Sequence, residues 1–239
     1  MNPVNESFAC RRRRAAARIG LTAAAGLALA AGLEAATYPR WRRWCLTWGA
    51  TDNEAAGALP GDELLADPGV VTTRAVSIDA PPSAIWPWLA QMGPGRGGAY
   101  TYDWIENLAG LGMHSADQIL PEFQDLRVGD AQRLGRRGPL LRVAVLEPER
   151  ALVLRSDDGN WVWAFVLAPD GAGTRLISRN RIAMPGAPRL ARSLYAYVME
   201  PGSLIMERKM LLGIRQRAER LARDSRAGLV TADAGGSGR

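Results

Sequence analysis

The chain has 239 residues, a net charge of +6, two cysteines and one histidine. The whole excess of charge sits in residues 1–50, where Arg11, Arg12, Arg13, Arg14, Arg18, Arg40, Arg42 and Arg43 face only Glu6 and Glu34. The balanced remainder offers no footprint for a phosphate backbone, which needs several cations at once, and Cys10, Cys45 and His114 make no ordinary zinc set or disulfide framework, so neither nucleic acid, metal nor cofactor is expected.

The length suits one ordinary domain with an N-terminal appendage. Residues 1–14 read as a basic tail. Ile19 to Leu33 then run without a charge between Arg18 and Glu34. That is short of the roughly 20 apolar residues that cross a bilayer, but snorkelling of the flanking charges extends the segment to residues 15–37. A basic start, a short apolar run and Ala28-Leu29-Ala30 also describe a cleavable secretory signal. A single N-terminal membrane anchor is expected, with the domain outside the cytoplasm as the arginine bias suggests; export after signal cleavage is the alternative, and a core-packing or disordered tail a third. Trp41, Trp44 and Trp48, interleaved with Arg40, Arg42 and Arg43, fit an interfacial belt. Residues 38–69 read as a juxtamembrane and lead-in arm, acidic and rich in turn formers, with Cys45 counted in the appendage.

The folded domain is expected over 70–226. Val70–Ile78 is β-branched and predicts a first strand. Asp79-Ala-Pro-Pro82 ends it and opens a helix containing Ile85, Trp86, Trp88, Leu89 and Met92, which Pro87 should kink or shorten. Gly93-Pro-Gly-Arg-Gly-Gly98 formally fits the dinucleotide fingerprint. It follows a helix instead of joining a strand to one, so a tight loop is the expectation. A second short helix is expected around 103–111, with Trp104, Leu108 and Leu111 on one face and Asp103 as its N-cap. Residues 140–146, 151–155, 160–167 and 174–182, separated by turns, read as an antiparallel meander. Leu204, Leu211, Ile214, Ala218, Leu221 and Ala222 recur at helical spacing, with Glu207, Arg208, Arg215, Arg217, Glu219 and Arg223 assigned to the solvent face and Glu219 paired to Arg223. Residues 227–239 lack a core-forming pattern and read as a disordered tail. The class is α+β: a curved antiparallel sheet wrapped around a long C-terminal helix, with the apolar helix in front.

Three stretches carry a family resemblance: Ile78-Asp-Ala-Pro-Pro-Ser-Ala-Ile-Trp-Pro-Trp-Leu89, Gly93 to Asn107, and Pro201 to Ile214. With the order of elements, they resemble a bacterial branch of the START-like superfamily, the polyketide cyclase/dehydrase and lipid-transport proteins, over about residues 48–222. The resemblance implies a helix-grip fold with an internal cavity. Its members include lipid carriers, hormone receptors, aromatic-ring cyclases and co-chaperones, and this branch brings no catalytic motif to transfer.

Two sets of side chains are candidates for function. Trp86, Tyr100, Tyr102, Trp104, Trp161, Trp163 and Phe165 would line a ligand cavity, or else form ordinary core. His114, Tyr102, Asp103 and Arg179 would move protons or polarise a carbonyl in a cyclase or dehydratase, although a loop-capping histidine is the plainer reading. No nucleophile motif is visible. The leading expectation is membrane-tethered binding or transfer of a lipid, isoprenoid or polyketide-like molecule; the alternatives are an enzyme on such a molecule and a ligand-free interaction module.

Overall fold

A computed structural model describes residues 37–108, 110–135 and 138–236, with the backbone alone for 228–236. Apart from Thr37, the expected membrane or signal segment lies outside these residues. The chain divides into two units, Met1–Trp44 and Cys45–Arg239. Of the first, residues 37–44 are helical. Among the described residues no helix is long and apolar enough to cross a membrane, and no cluster of His, Cys, Asp and Glu could hold a metal ion.

The second unit is built on six strands: β1 (Val70–Ile78), β2 (Ala131–Arg133), β3 (Leu140–Glu147), β4 (Ala151–Ser156), β5 (Trp161–Asp170) and β6 (Gly173–Ile182). They form one antiparallel sheet in the order β1-β6-β5-β4-β3-β2. Around it lie α1 (Asp52–Ala56), α2 (Pro82–Ala90), α3 (Asp103–Leu108), α4 (Arg189–Leu194) and the long α5 (Glu200–Gly236), with a π-helical turn at Tyr195–Met199 between the last two. This is the helix-grip order that the sequence led one to expect.

Side chains alternate along each strand, so every strand divides its residues between two faces. Val76, Ile78, Leu141, Leu152, Leu154, Phe165, Leu167 and Leu176 join Met210, Leu211, Ile214 and Ala218 of α5 and Ile85, Trp88 and Leu89 of α2 in the main core. The other face carries two smaller clusters. Ala75, Val166 and Ile177 are covered by Ala50 and Leu59, and Val153, Val162 and Ala164 by Leu64 and Leu65.

That second face corrects the reading of residues 38–69 as an arm, because residues 45–66 form a cover pinned to the sheet. Arg175 reaches Glu54 at 2.7 Å, and Arg179 reaches Asp62 at 2.7 Å. Arg181 donates to the carbonyl of Leu65 at 2.9 Å. Cys45 is buried in this unit with its thiol free, and Trp48 packs against the main core beneath the Arg208 guanidinium, so neither belongs to an interfacial appendage.

Three further expectations change. The helix α3 is shorter than expected and turned over: Trp104 and Leu108 are 65% and 81% exposed, while Glu106 is buried. Asp103 does not cap it; its carboxylate accepts from the Ser115 amide and hydroxyl at 2.8 and 2.6 Å, holding the following loop. Glu219 pairs with Arg215, not Arg223. The C-terminal residues 227–236 continue α5, as their alanine content permits, instead of forming an irregular tail.

Candidate functional site

The inner face of β1 and β6 changes character along its length. Val76, Ile78 and Leu176 at one end pack beneath α5, but Thr72, Arg74, Ser178 and Asn180 hold the equivalent alternate positions at the other. Between this polar end and α5 lies a cavity of about 730 Å³. Its wall includes Trp161 and Trp163 from β5, Asn180 and Ile182 from β6, Thr72 from β1, and Met206, Glu207 and Met210 from α5. Ala99, Thr101 and Glu106 close another side, and Tyr195 and Met199 of the π-helical turn a third.

Buried polar groups make the floor. Arg74 is wholly buried and forms an ion pair with Glu207. Its Nε and Nη2 also donate to the carbonyl of Cys45 at 3.0 and 2.9 Å, and Nη2 to the Ser203 hydroxyl at 3.0 Å. Glu207 accepts further from the Ser178 hydroxyl and, at 3.2 Å, from Asn180 Nδ2. Ser178 and Asn180 in turn accept from the indole nitrogens of Trp163 (3.0 Å) and Trp161 (2.8 Å). One network thus fixes two rings that stack at 5.6 Å between centroids, with Phe165 against Trp163 at 4.9 Å. Every polar tip of the tryptophans is satisfied, which leaves their apolar bodies for the cavity.

Opposite in character is Glu106. It is 7% exposed, and its Oε2 and the neighbouring Thr101 Oγ1 are buried without a hydrogen-bond partner among the described residues. Burial, helped by the negative charge of Asp103, raises the Glu106 carboxyl above the ordinary glutamate range. Burial likewise raises the Tyr195 hydroxyl. Asp158, at the β4–β5 turn, is held below the ordinary aspartate range by the hydroxyl of Ser156 and by the backbone and side chain of Asn160.

Of the aromatic set, Trp161 and Trp163 line the cavity; Phe165 lies behind them in the core. Tyr100 is buried with its hydroxyl on the carbonyl of Trp88 at 2.8 Å, and Trp86 packs against the core. Tyr102 stacks with Lys209, and Trp104 faces outward. The four proton-transfer candidates are not brought together. His114 is exposed on a loop and Asp103 holds Ser115. Arg179 points to the outer face, one residue out of phase with Ser178 and Asn180, where Asp62, Thr73 and the carbonyls of Glu54, Ala55 and Gly57 surround it.

The ionisable groups that do share the cavity are Glu106, Asp158, Tyr195 and Glu207. Sequence reading named Glu106 only as a neighbour of His114 and placed Glu207 on the solvent face, although Glu207 stands three residues after Leu204 and four before Leu211, on the buried stripe of α5. Glu106 carried no such signal, because its helix presents its apolar side to solvent.

The loop Gly93–Gly98 closes on itself through paired amide bonds of 2.9 and 3.1 Å, and buried Gln91 ties it to Gln118 and Leu120. At Gly98, with φ +70, an added Cβ would lie 2.6 Å from the carbonyl of His114, so the glycine permits the close approach of two loops. No helix begins there to receive a phosphate.

No protein-family model matches the chain, and no curated protein matches it in sequence. Among solved structures the chain is similar to protein MLL2253 of Mesorhizobium loti, at 17% identity and a TM-score of 0.38, over 63% of this chain and 98% of that one. It is similar to the KanY protein at 15% identity and a TM-score of 0.43, over 63% and 97%. It is also similar to the polyketide cyclase-like protein Cgl2372 of Corynebacterium glutamicum, at 17% identity and a TM-score of 0.32, over 66% and 93%. All three likenesses are distant.

Proposed function

We propose that the chain binds a small, largely apolar molecule in the cavity between α5 and the polar end of the sheet. The observation that carries this reading is the cavity itself. At about 730 Å³ it falls within the ~300–1,000 Å³ of ordinary ligand sites, and tryptophan and methionine walls with a few fixed polar groups are the usual composition of such sites. A chain that needed only a filled core would place apolar side chains where Thr72, Ser178 and Asn180 stand. Native mass spectrometry with organic extraction, on the chain purified from its source organism, tests it. A co-purifying apolar molecule at near-equal stoichiometry is expected. An empty protein whose melting temperature ignores a panel of lipids, isoprenoids and polyketides would count against it.

Turnover of that molecule is the second reading, favoured by two carboxyl groups, Glu106 and Glu207, that line one cavity. Glu106, whose carboxyl burial raises above the ordinary glutamate range, is suited to give a proton, while Glu207, bonded to Arg74, Ser178 and Asn180, keeps the tryptophan wall in place. A mass change in the extracted molecule on incubation with fresh protein distinguishes catalyst from carrier.

The apolar residues around the cavity support uptake from a bilayer, to which residues 15–37 would tether the domain. Met199 both lines the cavity and is 54% exposed, and Leu190, Leu194, Tyr197 and Val198 beside it are exposed too. Alkaline extraction of membranes tests the tether: release of the intact chain into the supernatant removes it from the proposal.

A further inference from the structure

Among the described residues, Glu106, Asp158 and Glu207 line the cavity, with no lysine, arginine or histidine beside them. The guanidinium of Arg74 does not line the cavity and is engaged by Glu207, Ser203 and the carbonyl of Cys45. Lys209 stacks on Tyr102, and neither residue lines the cavity. A carboxylate or phosphate entering here would shed its water and find no cation among the described residues of the wall, a loss too large for apolar burial to offset.

The cavity also holds two buried polar atoms without a hydrogen-bond partner among the described residues, Glu106 Oε2 and Thr101 Oγ1. The floor carboxylate Glu207 is saturated by Arg74, Ser178 and Asn180, whereas Glu106, more than nine-tenths buried, is left with Thr101 at the cavity edge and no hydrogen bond to Oε2. Among the described residues, the titratable groups that share its helix or its cavity are Asp103, Glu207, Tyr195 and Asp158, all of them acids. None can accept its charge.

We propose that the cavity selects a neutral molecule, apolar over most of its length, with a hydroxyl or carbonyl oxygen that meets Glu106, and that it rejects the corresponding carboxylates and phosphates. This rests on the cavity being the binding site and narrows what that site takes. A protonated carboxyl donates to either oxygen, and a hydroxyl satisfies both it and Thr101. Free fatty acids and lipids whose phosphate must enter are excluded; long-chain alcohols, sterol-like alcohols and neutral ketones fit.

Displacement of the neutral dye Nile red from the full chain by 1-dodecanol, dodecanoate and dodecyl phosphate tests the inference at pH 7.5 and pH 5. Dodecanol should displace the dye at a concentration at least roughly tenfold below that of dodecanoate at pH 7.5, and dodecyl phosphate should fail at both pH values. The gap to dodecanoate should narrow at pH 5, where part of the acid is neutral. Glu106→Gln, whose amide still donates, should keep dodecanol within about threefold, and Glu106→Leu should weaken it roughly tenfold. Equal or tighter displacement by dodecanoate in the wild-type chain at pH 7.5 overturns the inference whatever the variants do. So does an unchanged alcohol preference in Glu106→Leu. Absence of Nile red binding is a different result: it removes the cavity as the binding site, and this selectivity with it.

Discussion

Arg74 and Glu207 show how one residue pair can serve packing and recognition together. Both are buried, and their partners reach from β1, β6, α5 and the cover segment. Removing one member leaves a charge without compensation, so Arg74→Met should destabilise the domain by about 3–5 kcal/mol in urea unfolding. Replacing both with methionine should recover much of that loss, because a buried ion pair gains little over a well-packed apolar one. The double variant should nevertheless lose the ordered tryptophan pair, as Ser178 and Asn180 lose their acceptor.

Glu106 gives a pH dependence of defined sign. Burial raises its carboxyl in the folded state, so the folded protein prefers the protonated form. Its contribution to stability is therefore complete below the ordinary glutamate pKa and is lost as pH rises through the raised value. Glu106→Gln should flatten this part of the profile, making the variant at least as stable as the wild type at pH 8 and no more stable at pH 4. Thermal unfolding across that range is the measurement; a parallel shift at both pH values would rule the account out.

At the level of elements, α4 and the π-helical turn are the parts of the domain least explained by its own packing. None of the residues Arg189–Met199 is buried, and Leu190, Leu194, Val198 and Met199 face solvent. Such an exposed apolar stretch marks a surface that meets something else. If it carries the ligand between cavity and bilayer, Leu194→Asp with Val198→Asp should slow dye transfer from vesicles by roughly tenfold or more while leaving equilibrium affinity in solution unchanged. Unaltered transfer would confine the ligand's path to another part of the wall.

This element was also the one least legible in the sequence. Its run of Pro185-Gly-Ala-Pro188 hid the helix that begins at Arg189, since proline and glycine are read first as breakers. The strands were readable because β-branched and aromatic residues alternate between turn signals, and Val70–Ile78 forms over its expected span. Periodicity located the stripe of α5 but charge misassigned Glu207 to solvent. A polar residue that keeps the spacing of an apolar stripe is better read as a buried group awaiting its partner. Residues 45–66 were opaque for another reason: they hold the sheet through arginine contacts and small apolar residues, which leave no period.

For the whole molecule, the main consequence is that core and cavity share one surface. The sheet's inner face passes from Leu176 to Ser178 to Asn180 without a break, and α5 sets apolar side chains on the first part and Glu207 on the second. The position of the cavity was thus written in β6 as a change from apolar to polar at alternate residues, a signal legible only once the two faces had been separated. What sequence alone could not supply was the other wall, because the helix of Glu106 presents its apolar side to solvent and Tyr195 arrives from a segment with no regular pattern.

The cavity floor also dictates an order of assembly. Arg74 and Glu207 are 133 residues apart in the chain, and β1 pairs along its whole length with β6. During synthesis β1 therefore emerges long before either partner, exposing an unpaired edge and a lone buried-type guanidinium, while the local hairpins β3–β4–β5 can already form. The binding site is the last part to exist, completed only when the C-terminal helix docks. A ribosome stalled before β6 has emerged should carry a nascent chain with the β3–β4 hairpin in place, no cavity, and a strand that other chains can capture.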